Sequence, residues 1–352
     1  MFTIFEKKTE DEKGRDFYFD NAKFIIILLV VIAHIISPIK THMPFVKAVW
    51  TLINAFHMPC LIMISGYFAK SYFLKDGGVK KQRLFTYVIY YLASQIAVSL
   101  FEYFVLDNTS MAISVFGARS SLWYLVCLCV WYAILPYIVD VKPQILLPVS
   151  VLCGLLVGYD TLMGSGFMSM GRVVNHFPFF LIGFYFKKEW LFKFRNIYTQ
   201  IGAAGILAVS FLWIWKNLDK IAPRIIISSY DYAHSNLIYF TEHFQWMNRF
   251  LYYIVACVLC ACVMLLIPRY HYFFTHLGSR TLQVYILHRF IYLAELTFLW
   301  YEPFTSRKGF CELVLIATVM TFVLSLKIFE YPFKALAMIK LSWFEKKDNN
   351  GW

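Results

Sequence analysis

The segment DNAKFIIILLVVIAH, residues 20–34, contains the strongest indication of the fold of this chain. A polar start leads into ten apolar residues, and the run ends on His34. In an α-helix, Lys23 and His34 lie within about 20° of the same face and about 16 Å apart along the axis. Ionisable groups are costly inside a bilayer, so a histidine there requires a structural or a functional reason.

The composition indicates a polytopic membrane protein. Of the 352 residues, 60% are hydrophobic and only 15% are charged, whereas a soluble domain has about 25% charged residues. The formal net charge is +12, but the basic residues lie in short loops between apolar runs, as the positive-inside rule predicts. The sequence has no arginine-rich tail and no basic–aromatic platform, so we expect membrane lipid, and no nucleic acid, as a partner.

We predict an all-α bundle of about ten membrane spans, most of them close to the roughly 20 residues that a bilayer requires. A cytoplasmic leader (1–19) precedes the transmembrane domain (20–335), and a cytoplasmic tail (336–352) follows it. With both termini inside, the inner segments hold about twice as many Lys and Arg residues as the outer segments. The predicted spans, of which the fifth and sixth are short, are residues 20–39, 46–69, 83–106, 121–139, 144–159, 174–187, 197–216, 249–268, 281–301 and 310–332.

The longest loop, residues 217–248, is extracytoplasmic in this topology. It contains two histidines together with acidic and aromatic residues. Loops over a rigid core often carry binding functions, so the loop is a candidate lid or acceptor-binding segment. The alternative is an aromatic surface loop without such a role.

The eight cysteines nearly all fall inside apolar runs, where a thiol behaves as a small hydrophobic group. Cys257, Cys260 and Cys262 have the closest spacing, but no histidine and no second cysteine pair accompanies them in that run. We therefore expect no metal site.

A second apolar segment, NAFHMPCLIMISGYF at residues 54–68, also contains a histidine. It places His57 and Pro59 within a helix and ends in Ser65 and Gly66. Proline frees a backbone carbonyl and glycine lets helices approach closely, which suits a kinked helix that lines a site. An isolated histidine such as His34 fits a structural role as well as a catalytic one. The aligned Lys23 and this second segment favour a site.

Seven short motifs, in this order, resemble those of the acyltransferase-3 family of integral membrane O-acyltransferases. Each is weak alone, and together they cover about residues 16–335. They are Lys23-x10-His34 preceded by Asp20, Phe56-His57-Met58-Pro59 with Ser65-Gly66, the basic juncture of Lys80, Lys81 and Arg83, SLWYL at 121–125, Arg172 with FPFFLIGFYF at 177–186, LGSRTLQVYILH at 277–288, and Glu330-Tyr331-Pro332.

The resemblance implies a multi-pass enzyme of a bacterial cytoplasmic membrane. Its expected reaction moves an acetyl group from acetyl-CoA to a hydroxyl of a cell-surface polysaccharide or its lipid-linked precursor. His34 is then the general base or a transient acyl carrier, since histidine titrates near neutrality. Asp20 and Lys23 position the donor or relay charge, while Lys81 and Arg83 bind the coenzyme A phosphates on the cytoplasmic side.

Further residues are candidates for contacting substrate. Arg172 lies at an outer helix mouth, where it contacts the acceptor or the acyl end of the donor, or simply snorkels to the interface. An ion pair of Glu330 with Arg289 or Lys327 is a structural alternative, and Trp123 also suits packing. The full set of substrate-binding candidates is His57, Trp123, Arg172, His176, His288 and Glu330.

Two departures from the family pattern and two rival functions remain. The basic residue of the first motif is Lys23, where arginine is also common, and lysine lacks the bidentate fork of arginine. No extracellular hydrolase-like domain is appended, so we expect the chain to complete the transfer alone or with a partner. A transporter or flippase for a glycan precursor, and a non-catalytic partner of a polysaccharide machine, are the alternatives.

Overall fold

The structure, a computed structural model, describes residues 16–74, 78–107, 116–117, 120–160, 167–221, 226, 232 and 244–344. Helices dominate these residues and no β-strand occurs among them, which confirms the all-α prediction. The predicted leader, the end of the tail and most of the loop at 217–248 lie outside the described residues. The helices are α1 (Phe17–Ile35), α2 (Pro44–Ala69), α3 (Lys81–Val105), α4 (Trp123–Ile138), α5 (Pro143–Leu156), α6 (Met170–Tyr185), α7 (Lys188–Phe194), α8 (Ile197–Lys216), α9 (Gln245–Leu266), α10 (Thr281–Thr297), α11 (Arg307–Leu324) and α12 (Tyr331–Ala337).

Each predicted span overlaps one of the longer helices. Among the described residues, five helices are long and apolar enough to cross a membrane, namely α1, α2 with its following turn, α3, α8 and α9. Helix α4 and the segment Pro143–Tyr159 are apolar but shorter. The chain is therefore a membrane protein with several spans, while the count of about ten and the cytoplasmic termini stay predictions.

The predicted last span, residues 310–332, is not one continuous helix. Helix α11 ends at Leu324, and the following segment Lys327–Trp343 is bent by 62° from it. The Gln283 side chain donates hydrogen bonds to the carbonyl oxygens of Leu324 (2.8 Å) and Leu326 (3.1 Å). These bonds satisfy carbonyls that a helix end leaves unpaired, so they stabilise the break.

Helix α1 lies at the centre of the bundle and packs against α2, α10, α11 and the turn Thr275–Arg280. The buried Asn21 side chain donates to the carbonyls of Pro268 (2.9 Å) and Tyr270 (2.8 Å) and accepts from the Thr275 hydroxyl (2.7 Å). A Cβ at Gly278 would collide with the Asp20 carbonyl. The N-terminal end of α1 is therefore held tightly against the segment that leads into α10.

Helices α2 and α6 approach each other at two glycines. A Cβ at Gly66 would collide with the Phe180 carbonyl, and a Cβ at Gly183 would collide with the Met63 carbonyl. Small residues permit such backbone contact between helices in membranes. The close approach of the two backbones explains why residues 66 and 183 are glycines.

Candidate active site

Helices α1 and α10 bring His34 beside two aromatic residues. The centroid of the His34 ring is 5.1 Å from that of His288 and 5.1 Å from that of Tyr292. His34 keeps partial exposure, whereas His288 is fully buried. The structure thus joins the histidines of the first and sixth sequence motifs in one cluster, and it adds Tyr292, which sequence reasoning missed.

Three of the predicted site histidines make the same bond to their own helix. Nδ1 of His57, His176 and His288 lies 2.8, 3.1 and 2.9 Å from the carbonyl oxygen four residues earlier. A carbonyl can only accept, so Nδ1 carries the proton and Nε2 of the neutral ring is an acceptor. Nε2 of His288 is buried and has no hydrogen-bond partner within the described part of the chain.

Trp123, Arg172 and His176 form a second cluster, which we call the outer cluster after the predicted orientation. The Arg172 guanidinium carbon lies 5.2 Å from the centroid of the Trp123 ring, which is a cation–π distance. The Trp123 and His176 ring centroids are 5.1 Å apart. His57 is close enough to act electrostatically on both His34 and His176.

Lys40 adds a cation just beyond the end of α1. Its ammonium donates to the Ser37 carbonyl (3.0 Å) and hydroxyl (2.8 Å) and lies 4.7 Å from the centroid of a Trp50 ring. Burial lowers the pKa of Lys40. Its charge acts on His34. Lys40 therefore belongs to the cluster around His34 and, like Tyr292, was missed by sequence reasoning.

Basic residues converge at the C-terminal end of α2, and we call them the inner cluster after the predicted orientation. Lys23 pairs with the buried Asp20 at 2.8 Å, and its ammonium lies 5.1 Å from the centroid of the Phe68 ring. Arg83 donates to the Ser71 hydroxyl (2.8 Å) and to the Phe68 carbonyl (3.3 Å). Lys23 and Arg83 therefore both contact Phe68.

Lys81 does not join this inner cluster. Residues two apart on a helix point in directions about 200° different, so Lys81 and Arg83 face opposite ways. Lys81 is exposed and lines a groove with residues 335–343. Gln82 holds this tail segment through bonds to the Ile339 carbonyl (2.9 Å) and the Leu341 amide (2.8 Å). The binding of donor phosphates by Lys81 and Arg83 stays a prediction, and the structure places these two side chains on different faces of α3.

A cavity of about 120 Å³ lies between the inner cluster and the histidines. Ile27 lines it, and this residue stands four positions after Lys23 and seven before His34, close to the same helix face. The Ser65 and Tyr124 hydroxyls are 2.5 Å apart, and Tyr285 donates to the Ser121 carbonyl. The hydroxyl-bearing residues of the lining are Ser65, Tyr87, Tyr124, Thr281 and Tyr285.

Sequence reasoning missed this hydroxyl lining, although most of its residues belong to quoted motifs. Tyr124 follows Trp123 in the fourth motif, and Tyr285 lies three residues before His288 in the sixth. A signal was therefore present for Tyr285, which stands at helical spacing from His288. The choice of Trp123 over Tyr124 could be settled only by the helix packing.

Glu330 lies away from the histidine cluster. Its carboxylate forms ion pairs with Arg280 (3.4 Å) and Lys334 (3.2 Å). The ion pair with Arg289 or Lys327 that the sequence suggested is not among them. The Arg289 guanidinium carbon instead lies 5.0 Å from the centroid of the Tyr292 ring. Glu330 follows the bend, because α11 already ends at Leu324. Its ion pair with Arg280 places it near the start of α10. His288 is about 12 Å further along α10.

No group of three or more His, Cys, Asp or Glu side chains suited to a metal ion is found among the described residues. The arrangement that remains is a polar histidine cluster, a basic cluster and, between them, a cavity lined by hydroxyl groups. Such a site can bind an extended anionic molecule at one end and move a proton at the other.

Comparison with known proteins gives one match. The acyltransferase-3 family model, described as an acyltransferase domain, matches residues 16–330. No curated protein and no solved structure matches the chain. The family match covers most of the chain and includes both clusters and the cavity. The chain therefore belongs to the acyltransferase-3 family and is a membrane acyltransferase.

Proposed function

We propose that this protein transfers an acetyl group from cytoplasmic acetyl-CoA to a hydroxyl of a cell-surface polysaccharide or its lipid-linked precursor. It does so in a bacterial cytoplasmic membrane, with about ten spans and both termini inside. The observation that carries the proposal is the cavity beside Ile27, which lies on α1 between Lys23 and His34. An extended thioester donor needs such a path between its phosphates and its reacting carbon.

The inner cluster binds the donor phosphates in this proposal. Lys23, Lys80 and Arg83 present cations around the last turn of α2, where Lys80 donates to the Ser71 carbonyl at 2.7 Å. Charge-assisted hydrogen bonds to phosphate are stronger than those to a backbone carbonyl, so the phosphates replace the present partners. Asp20 holds the Lys23 ammonium at the mouth of the path through its 2.8 Å ion pair.

The cavity takes the pantetheine arm of the donor. This arm is a thin, flexible chain with amide groups, and the hydroxyls of Ser65, Tyr87 and Tyr124 offer donors and acceptors to those amides. The roughly 16 Å between Lys23 and His34 along α1 separates the charged end of the donor from its thioester. The thioester then meets His34 in the outer part of α1.

His34 acts as the general base. The acceptor oxygen attacks the thioester carbonyl carbon, a C–O bond forms and the C–S bond breaks. His34 takes the hydroxyl proton and returns it to the departing thiolate, so the products are the acetyl ester and coenzyme A. Lys40 and the dipoles around the cluster stabilise the oxyanion that develops on the carbonyl oxygen.

The outer cluster receives the acceptor. An aromatic face beside a guanidinium offers apolar contact for a sugar ring and hydrogen-bond donors for its hydroxyls, which suits Trp123 and Arg172. His176 and His57 extend this polar surface towards His34.

The test is transfer by the purified protein in liposomes. Acetyl-labelled acetyl-CoA is supplied with a polysaccharide or oligosaccharide acceptor, and labelled ester is measured. We expect turnover by the wild type, none by His34→Ala and normal turnover by His42→Ala, which changes an exposed histidine. Normal turnover by His34→Ala removes His34 from the mechanism, and a wild type that binds no coenzyme A favours a transporter.

A further inference from the structure

His288 has a geometry that points to a specific partner. Its Nδ1–H donates to the Val284 carbonyl at 2.9 Å, which leaves Nε2 as the acceptor of the neutral ring. The side chain is fully buried, and Nε2 has no hydrogen-bond partner among the described residues. A buried acceptor without a donor costs about 1–3 kcal/mol, so such an atom calls for an explanation.

The nearest ring in this cluster is that of His34. The two imidazole centroids are 5.1 Å apart with planes inclined by 45°. The centroid of the Tyr292 ring also lies 5.1 Å from that of His34. The Tyr292 hydroxyl forms a hydrogen bond with Ser37, just past the end of α1. His34 is thus held between two side chains of α10 that stand one helical turn apart.

The side chains around His34 indicate that an imidazole, and not a carboxylate, accepts a hydrogen bond from its ring. In many hydrolases a carboxylate fixes the tautomer of the catalytic histidine. The charges of His288, Arg289, His57 and Lys40 act on His34, and none of these four side chains is a carboxylate. Arginine and lysine only donate, so the acceptors in this set are the Nε2 atoms of neutral histidines. Of these histidines, His288 is the one whose ring contacts that of His34.

We propose that His288 is a positioning residue, whose Nε2 accepts a hydrogen bond from one ring N–H of His34 in the reacting complex. The other nitrogen of His34 then faces the reacting groups as the base. This inference rests on the proposed acyl transfer. During the reaction His34 takes the acceptor proton on its free nitrogen and becomes an imidazolium. Its second N–H, already bound to His288, stays in place, and the first proton returns to the coenzyme A thiolate.

Two substitutions separate this role from a structural one. The side-chain amide of His288→Gln reaches the place of Nε2, whereas that of His288→Asn reaches only the place of Nδ1. The glutamine variant therefore keeps an acceptor towards His34. The asparagine variant keeps the bond to Val284 and loses the acceptor.

The experiment measures kcat and KM for both variants, with coenzyme A binding and thermal unfolding as readouts that do not depend on turnover. We expect His288→Asn to lower kcat about 10²-fold, a typical general-base contribution, with KM values and coenzyme A affinity unchanged. We expect His288→Gln to stay within about tenfold of the wild type. Equal losses in the two variants, or a greater loss in His288→Gln, would overturn the proposal, as would loss of coenzyme A binding in His288→Asn.

His34→Ala and the wild type separate failure of this inference from failure of the proposed function. If the wild type transfers no acetyl group, or His34→Ala retains normal turnover, the proposed reaction or its base is wrong. If His34 is essential and the two His288 variants behave alike, only the positioning role is wrong.

Discussion

Gly66 of α2 and Gly183 of α6 stand at reciprocal contact points, where each glycine meets a backbone carbonyl of the opposite helix. We expect Gly183→Ala to destabilise the protein by about 1–3 kcal/mol, because the new methyl group meets the Met63 backbone, which has no side-chain freedom. Thermal unfolding in detergent measures the change.

Gly202→Ala is the matched control for this prediction. Gly202 lies in α8, and nothing within 4 Å meets an added Cβ there. Alanine in a helix interior is favoured over glycine by about 0.5–1 kcal/mol, so this variant should be as stable as the wild type or more stable. Equal destabilisation by both substitutions would show that the helix contact at Gly183 is not the cause.

Asn21→Ala should destabilise the inner end of α1 by about 2 kcal/mol, since it removes the partner of buried backbone groups and of Thr275. It should also lower kcat, because Asn21 holds α1 against the segment that leads to His288. Asn54→Ala is the control, as Asn54 bonds only the Trp50 carbonyl of its own helix (2.7 Å) among the described residues. Unfolding temperature and turnover are measured together, and a stable, fully active Asn21→Ala contradicts the prediction.

Arg83→Gln should raise KM for acetyl-CoA about 10–100-fold, since a hydrogen bond to a charged group contributes about 1.5–3 kcal/mol. Lys81→Gln should change this KM less than threefold or so, because Lys81 faces the tail groove and not the inner cluster. Steady-state kinetics with the acceptor held constant give both values. A larger rise in KM for Lys81→Gln than for Arg83→Gln would indicate that Lys81, and not Arg83, binds the donor phosphates.

Arg172→Gln should raise KM for the acceptor about tenfold and leave KM for acetyl-CoA unchanged, because the guanidinium over Trp123 belongs to the outer cluster. Lys308→Gln is the control, since Lys308 is a highly exposed cation near the start of α11. An effect of Arg172→Gln on the donor alone would mean that this arginine contacts the acyl end of coenzyme A.

Much of this fold could be predicted from the sequence because apolar runs are a local signal. The helix positions follow from hydropathy, and the placement of Lys23 and His34 on one face of α1 follows from helical spacing. The bend after Leu324 does not, because it depends on Gln283 of another helix. Glu330 was assigned to a span for that reason.

The candidate site shows the same division. The histidines were evident because a polar residue in an apolar run is conspicuous, whereas Tyr124, Tyr285 and Tyr292 resemble ordinary aromatic packing residues in sequence. Which helix faces which is decided by contacts such as Gly278 on Asp20. A single sequence does not display these long-range contacts, so the hydroxyl lining of the cavity emerges only from the structure.

The bond from Nδ1 to the carbonyl four residues earlier recurs at His57, His176 and His288 on three different helices. Each helix thereby sets the tautomer of its own histidine, independently of the side chains that surround it. Residues on the acceptor side can then be exchanged without reversing the donor and acceptor nitrogens of these rings. A fold built in this way can change the acceptor that it recognises while its proton chemistry stays the same.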